Sequence, residues 1–200
     1  MTDLFDTPAA PRSRTSAVLD ELAEHAGRGP LAFGALAERL GDRTYGLLLI
    51  VLAALNVVPF ISLLTGPAIA ALGVQMVLGI RRPWLPRRLL ALELPAEPTA
   101  RALAATAPNI RRLERYLQPR WHFSEAPIVD RCLGLLILLL GMIVTIPAPF
   151  TNLPPSFVII LIGLGLTERD GLVQVLGLVL GTVTLLLVWG LLAGVLRNLT

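Results

Sequence analysis

The segment TIPAPFTNLPP, residues 145–155, interrupts a stretch at 132–167 that contains no charged side chain. Proline lacks the amide hydrogen that a helix requires, and its ring clashes with the preceding turn, so this stretch does not form one straight helix. A second charge-free stretch, 45–80, is interrupted by NVVPFISLLTGP at 56–67. The sequence therefore predicts two helical tracts, each broken near its middle.

These tracts are predicted to lie in the hydrocarbon core of a lipid bilayer. About 20 apolar residues cross the roughly 30 Å hydrocarbon core of a bilayer, and both tracts exceed that length. A third charge-free tract, 171–196, has no proline and would extend about 39 Å as a helix. Apolar residues make up 54% of the chain and its mean hydropathy is +0.72, above the usual balance of a soluble domain. These features predict an all-α integral membrane protein.

The two broken tracts are related in sequence. A shift of 88 positions superposes an Asp-Arg pair, a Gly-Leu-Leu run, two prolines and a further arginine of 42–81 on identical residues of 130–169. We interpret the chain as an internal duplication after a disordered N-terminus at 1–14. The first repeat then covers 15–97 with broken tract 45–80. The second covers 98–200 with broken tract 132–167 and transmembrane helix 171–196.

The breaks divide the tracts into short legs, predicted at 45–55, 68–80, 132–144 and 156–167. Irregular backbone within lipid must be covered by protein, so the legs are expected to pack as re-entrant or hairpin helices. Whether the two repeats are parallel or inverted stays open. Arginines on both flanks of the first tract favour an even number of crossings from the cytoplasmic side, hence parallel repeats.

Polar side chains near the breaks form the candidate substrate site. The second legs are expected to begin at Pro67 and at Pro154-Pro155, which would direct two positive helix ends into the breaks, where an anion could bind. The alternative is that these polar residues only cap helices and satisfy backbone groups freed by the prolines. The predicted site residues are Asn56, Thr65, Gln75, Thr151 and Asn152.

A charged cluster, Glu168, Arg169 and Asp170, separates the second tract from the last one. Because charges between membrane helices are unusual inside lipid, the cluster is a candidate gate or lipid-headgroup contact. The alternative is a solvated turn between two membrane helices.

Outside the tracts the sequence predicts amphipathic helices that lie on a membrane surface. Val18, Leu19, Leu22 and Ala26 share one face of the first, and a second is expected at 33–40. Pro108 is expected to open a short helix with Ile110 and Leu113 on its apolar side. Its opposite side carries Arg111, Arg112 and Arg115, which are expected to bind anionic lipid headgroups. A pI near 10.0 would also suit nucleic acid, but no nucleic-acid motif supports that partner.

Catalytic, metal and cofactor chemistry find no support in the sequence. The two broken tracts contain no Asp, Glu, His, Lys or Arg, so their hydroxyl groups have no neighbouring base. His25 and His122 lack further ligands at metal-binding spacing, and Cys132 is the only cysteine, expected to be buried. We therefore predict no enzyme, no metal and no cofactor.

Several segments resemble the ExoD-type exopolysaccharide synthesis family of bacterial membrane proteins. They are GVQMVLG at 73–79, PWLP at 83–86, IPAPFTNLP at 146–154, GLGL at 163–166 and the pair Asp170-Gly171. The resemblance implies a role in exopolysaccharide production in the bacterial inner membrane and no particular biochemical activity.

Two functions are compatible with these features. The first is a transporter-like protein of exopolysaccharide synthesis or export, with its polar site at the paired broken helices. The second is a non-transporting accessory or scaffold protein of the polysaccharide assembly machinery. Glycines at 177, 181, 190 and 194 also allow close approach of another helix, including one from a homo-oligomer.

Overall fold

The structure is a computed structural model that describes residues 15–28, 31–32, 44–56, 61–80, 83–84, 93–117, 126–146 and 152–199. Within these residues the chain is helical, which confirms the all-α part of the predicted fold class. The exception is one ladder in which β1, Leu31–Ala32, pairs antiparallel with β2, Glu93–Leu94. The helices are α1 Thr15–Arg28, α2 Thr44–Leu55, α3 Ser62–Val77, α4 Ala96–Glu114, α5 Pro127–Val144, α6 Leu153–Glu168 and α7 Gly171–Leu199. The predicted helix at 33–40 lies outside the described residues.

Helix α2 forms the centre of the core. Every side chain from Leu47 to Leu55 is at most 4% exposed, so the helix is buried all round. A helix without a polar face requires apolar neighbours on every side. It contacts α3, α4 and α6, and the three together cover it.

Both broken tracts fold as helical hairpins. In hairpin A, α2 and α3 are joined at one end by a hydrogen bond from Thr65 Oγ1 to Asn56, and at the other by one of 2.9 Å from the Tyr45 hydroxyl to the Ile80 carbonyl. In hairpin B, α5 and α6 are joined by a bond of 3.2 Å from Asn152 Nδ2 to the Val144 carbonyl. We call the ends near the breaks the tips and the opposite ends the bases.

Each leg of one hairpin packs mainly against a leg of the other hairpin: α2 packs against α6, and α3 against α5. Both contacts are made through glycine. A Cβ atom built on Gly73 would lie 2.5 Å from the backbone nitrogen of Leu138, and one on Gly46 would lie 2.5 Å from the carbonyl oxygen of Gly163. Side chains at these glycines would force the helices apart, so their absence sets the distance between the hairpins.

The glycine contacts also fix the direction of each helix. Gly66 lies against Thr145, Gly141 against Ala70 and Gly134 against Gly73, so α3 and α5 are antiparallel. Helices α2 and α6 are antiparallel by the same criterion, because Gly46 lies against Thr167 while Ile50, one turn further along α2, lies against Gly163. Consequently α2 and α5 run in the same direction, and both hairpins point their tips to the same end of the bundle.

Helices α3, α4 and α5 begin at least five residues before their predicted starts, and α6 begins at Leu153 rather than at 156. Helix α3 begins at Ser62, so Pro67 lies inside it. A proline disfavours helical backbone at the preceding residue through a clash with that residue's Cβ, and here the preceding residue is Gly66, which has none. Helix α5 begins at Pro127, because a proline at the first helical position loses no hydrogen bond.

Helix α4 begins at Ala96, so Pro108 lies within a longer helix rather than opening a short one. Contact with α1 along this helix supplies burial that offsets the roughly 3 kcal/mol cost of an internal proline. The expected burial of Cys132 is also wrong. It is exposed on an outward stripe of α5 with Ile128 and Leu135.

The second legs of the two hairpins end in the same way. Gly79 and Arg169 adopt left-handed backbone, with φ of 73° and 54°. The next amide in each case bonds back five residues, Ile80 N–H to the Gln75 carbonyl at 2.9 Å and Asp170 N–H to the Gly165 carbonyl at 3.0 Å. Both ends are Schellman motifs, which satisfy the last helical carbonyls and stop the helix.

Helix α7 returns along the hairpins from base to tip. Gly177 lies against Ile162 of α6 and Gly181 against Leu136 of α5. With 29 residues α7 is about 43 Å long, whereas α6 with 16 residues is about 24 Å, so α7 extends beyond the tips. Pro127–Val144 and Gly171–Leu191 are the two described segments long and apolar enough to cross a membrane by length and composition.

Helices α1 and α4 pack against each other beside the bases. Their buried apolar side chains face this contact and α2, so the apolar faces predicted to rest on lipid are used inside the protein. The largest of these side chains are Leu19, Leu22, Leu103 and Ile110.

Candidate functional site at the paired breaks

The two breaks lie side by side at the tips. A Cβ atom on Gly66, from the first break, would be 2.7 Å from both the backbone nitrogen and Cα of Thr145, from the second. The carboxyl ends of α2 and α5 and the amino ends of α3 and α6 therefore converge on one region. The meeting of the breaks that the sequence predicted is present at these two residues.

In the first break, Asn56 and Thr65 form one buried polar pair. The Thr65 hydroxyl lies within hydrogen-bond distance of both the Asn56 amide and the Ile61 carbonyl, the latter at 3.1 Å. A hydroxyl has one proton, and Thr65 donates it to the Asn56 oxygen, since the Ile61 carbonyl already accepts the N–H groups of Leu64 and Thr65. The Asn56 amide nitrogen is the buried atom with no partner among the described residues.

In the second break, Asn152 occupies the residue before α6, where an asparagine oxygen normally accepts from the second or third helical amide. Those residues are Pro154 and Pro155, which have no N–H. The Asn152 amide nitrogen instead donates to Val144, and its oxygen is buried with no partner among the described residues. The Ser156 hydroxyl, one turn further along α6, is in the same situation.

The amino end of α6 does not provide the donors that the anion prediction required. Of its first four residues only Leu153 and Ser156 have an N–H, and the Ser156 N–H already bonds to the Asn152 carbonyl at 3.1 Å. A helix amino end binds anions through free N–H groups, so α6 with one such group is a poor anion site.

Gln75 does not belong to this site. It lies near the base of α3, where its amide nitrogen donates to the Trp84 carbonyl at 2.8 Å and its oxygen accepts from the Trp84 N–H at 2.6 Å. The amide group therefore pairs with both backbone groups of Trp84, as a neighbouring strand would, and holds the Pro83-Trp84 segment against α3. Thr151, the remaining predicted site residue, lies outside the described residues.

The charged cluster between α6 and α7 is built as a tight turn. The buried Asp170 carboxylate accepts the N–H groups of Leu172 and Val173, at 3.0 and 3.4 Å, and so caps α7. Arg169 supplies the left-handed residue of the Schellman motif. Glu168 accepts a hydrogen bond of 3.2 Å from the Thr15 hydroxyl. These contacts build a turn between α6 and α7, in which Asp170 is buried rather than solvated as the alternative interpretation expected.

The arginines of α4 are on its outward side. Arg111 forms an ion pair with Asp20 of α1, while Arg112 and Arg115 are exposed. Since α1 covers the apolar face of α4, Arg112 and Arg115 remain at the surface, where they could contact lipid headgroups.

A contact between Glu114 and Ser16, which we call the carboxylate latch, lies at the base and was not predicted. Both oxygens of Glu114 accept hydrogen bonds of 2.7 Å from Ser16, one from its backbone N–H and one from its hydroxyl. A carboxylate at a helix amino end gains from the free N–H groups and from the helix dipole. Ser16 and Glu114 are 98 positions apart, so no local sequence signal announces the pair.

Replacing Glu114 should loosen α1. Charge-assisted hydrogen bonds contribute about 1.5–3 kcal/mol each, so Glu114→Gln is expected to cost about 2 kcal/mol and to increase amide hydrogen exchange throughout α1. The matched control is Glu97→Gln, also on α4, whose ion pair with Arg101 is exposed and contributes at most about 0.5 kcal/mol. Equal exchange in α1 for the two variants would contradict the latch.

The chemistry of the breaks is that of neutral amides, hydroxyls and backbone carbonyls. Among the described residues no group of three or more His, Cys, Asp or Glu side chains could hold a metal ion. The unpartnered buried atoms are hydrogen-bonding groups without charge, and most of them accept.

The fold and the site define an all-helical protein built on two interlocked hairpins, with neutral polar groups where the hairpin tips meet. The chain belongs to the ExoD family, because the family model described as "Exopolysaccharide synthesis, ExoD" matches residues 15–190. That match covers both hairpins and most of α7.

Two curated proteins are similar in sequence to this chain. Protein ExoD of Rhizobium meliloti (strain 1021) is 34% identical over 119 residues, which are 58% of this chain and 49% of that protein. An uncharacterised protein of a Synechocystis species is 24% identical over 143 residues, 69% of this chain and 68% of that protein. The chain therefore spans about half the length of the Rhizobium relative. No solved structure matches it.

Proposed function

We propose that this protein acts in exopolysaccharide synthesis or export as a multi-pass protein of the bacterial inner membrane. Family membership supports the process. The location is supported by α7, whose exposed side chains include Leu186, Leu187, Trp189 and Leu191. A contiguous apolar surface of this kind is costly in water and favourable in lipid.

The same proposal includes an internal duplication. The contact glycines of the first legs, Gly46 and Gly134, are 134 − 46 = 88 positions apart, which is the sequence offset. The left-handed residues that end the second legs, Gly79 and Arg169, are 169 − 79 = 90 positions apart. The second repeat then has two extra residues in its break, so the offset of 88 holds for the first legs only. The ungapped matches of Pro67 with Pro155 and of Arg81 with Arg169 therefore do not support the duplication. Parallel hairpins support parallel repeats.

The depth of the tips supports re-entrant hairpins. Helices α3 and α6 each have 16 residues and extend about 24 Å from base to tip. In a hydrocarbon core of about 30 Å, tips at this depth lie beyond the midplane and short of the far interface. Pairing of the two breaks would then cover backbone groups that lipid cannot satisfy.

At the tips we assign a transporter-like binding site. One observation carries this assignment: both breaks contain buried asparagines whose amides are only half satisfied, and the breaks touch at Gly66 and Thr145. Buried polar atoms are normally paired, and unpaired ones are a common mark of ligand sites. The scaffold alternative is favoured by a different observation, that Asn56 and Asn152 each hold their own hairpin together.

The test compares Asn152→Leu with Gln174→Met. The two amides are matched, since each donates one bond of 3.2 Å to a backbone carbonyl and each has a buried oxygen without a partner among the described residues. Gln174, however, lies at the base of α7, away from the breaks. Both replacements preserve side-chain size, so their effects on stability should be similar.

We expect Asn152→Leu to lower exopolysaccharide output at least about fivefold, or about 1 kcal/mol in the limiting step, at unchanged protein abundance. Gln174→Met should leave output near the parental level. Output that falls equally in both variants, in proportion to thermal stability, would support the scaffold instead.

The exposed arginines Arg112 and Arg115 are proposed to contact anionic headgroups on the base side, where each contributes about 1 kcal/mol near a charged surface. The outward face of α7 is also free to contact lipid or a second copy of the chain.

A further inference from the structure

The second break presents oxygen atoms without donors to satisfy them. Asn152 Oδ1 and Ser156 Oγ are both buried and unpartnered among the described residues. They are four positions apart at the start of α6, so their side chains lie on the same face of the helix. Between them, Pro154 and Pro155 contribute no N–H groups. A ligand here must bring positive charge or donors of its own.

The first break adds one further oxygen. The Asn56 oxygen accepts the Thr65 hydroxyl, and an amide oxygen has a second lone pair beyond that bond. Oxygen ligands of this kind, without a carboxylate, suit a monovalent cation, whereas Ca²⁺ and Mg²⁺ sites use carboxylates.

We propose that the paired breaks bind Na⁺, with Asn152 Oδ1 and Ser156 Oγ as ligands on α6 and the Asn56 amide oxygen available from α2. Asn152 Oδ1 and Ser156 Oγ are fully buried, which puts them out of reach of a sugar-sized ligand but not of an ion. The inference rests on the proposed transporter-like function and deepens it, because an ion held between two broken helices could couple its own gradient to movement of the hairpins.

The test is thermal unfolding of the full chain in lipid nanodiscs, in NaCl against choline chloride at equal ionic strength, with KCl and sodium phosphate as further arms. A ligand at 100 times its dissociation constant shifts the unfolding equilibrium about 100-fold, which for a chain of this size raises Tm by at least about 5 °C. We expect a saturable rise with Na⁺ that does not depend on the anion.

Asn152→Leu should abolish this rise, Ser156→Ala should weaken it, and Gln174→Met should keep it. Ser156→Ala removes a single hydroxyl and serves as the decisive variant if Asn152→Leu does not fold. No difference between NaCl and choline chloride, an equal rise in all variants, or a rise that follows the anion would each overturn the site. If Na⁺ has no effect while Asn152→Leu still lowers exopolysaccharide output selectively, the cation is refuted and the proposed function is not.

Discussion

Gly73→Ala is expected to prevent the two hairpins from closing. The added methyl group would lie 2.5 Å from the backbone nitrogen of Leu138 and 2.7 Å from the carbonyl oxygen of Gly134. Backbone atoms cannot rotate away as the end of a side chain can, so α3 and α5 must separate along their whole contact. Overpacking typically costs 1–3 kcal/mol, and a clash with two backbone groups of α5 should reach about 3 kcal/mol or more.

The measurement is thermal unfolding of the purified protein, in which this cost corresponds to a decrease in Tm of at least about 6 °C. Gly190→Ala is the matched control, because a Cβ atom there meets nothing within 4 Å. In an open helical position alanine is favoured over glycine, so the control should be neutral or stabilising by up to about 1 kcal/mol. Similar decreases in Tm for both variants would show that glycine contacts do not set the hairpin spacing.

The positions of the breaks could be predicted from sequence because proline acts locally. The legs ending at Leu55 and Val144 were placed within a residue, and the tight turn at Asp170 follows from a single capping side chain. The beginning of α3 could not be predicted by the same rule. Gly66 before Pro67 relieves the clash that normally ends a helix, and its effect depends on close contact with Thr145 of the other hairpin.

The pairing of the legs also lies beyond local signals. Glycines occur in α2, α3, α5 and α6, and their spacing does not indicate that α2 packs against α6 and α3 against α5. The candidate site was predicted in part. Asn56, Thr65 and Asn152 lie at the breaks as the sequence indicated, because they flank the prolines directly. Gln75 is near them in sequence but lies at the base, since two helical turns carry it away and Trp84 supplies its partners.

Labelling in intact cells should place the base and the far end of α7 on opposite sides of the membrane. Single cysteines replace Arg28, Arg101 or Asn198 in a Cys132→Ala background, which is needed because Cys132 is exposed. Arg28 and Arg101 are on α1 and α4 beside the bases, and their side chains are 73% and 78% exposed. A membrane-impermeant thiol reagent should leave both unlabelled, because the proposed topology places the bases of both hairpins on the cytoplasmic side.

Asn198→Cys should be labelled under the same conditions. Helix α7 begins at the base, is about 43 Å long and has no charged residue before Arg197, whereas the hydrocarbon core is about 30 Å thick. A helix of that length that starts at one interface reaches the other, even though the hairpins beside it turn back at about 24 Å. Protection of all three cysteines would mean that α7 stays on one side. Labelling of Arg28→Cys or Arg101→Cys together with Asn198→Cys would instead place the bases and the end of α7 on the same side, and would refute the proposed crossing by α7.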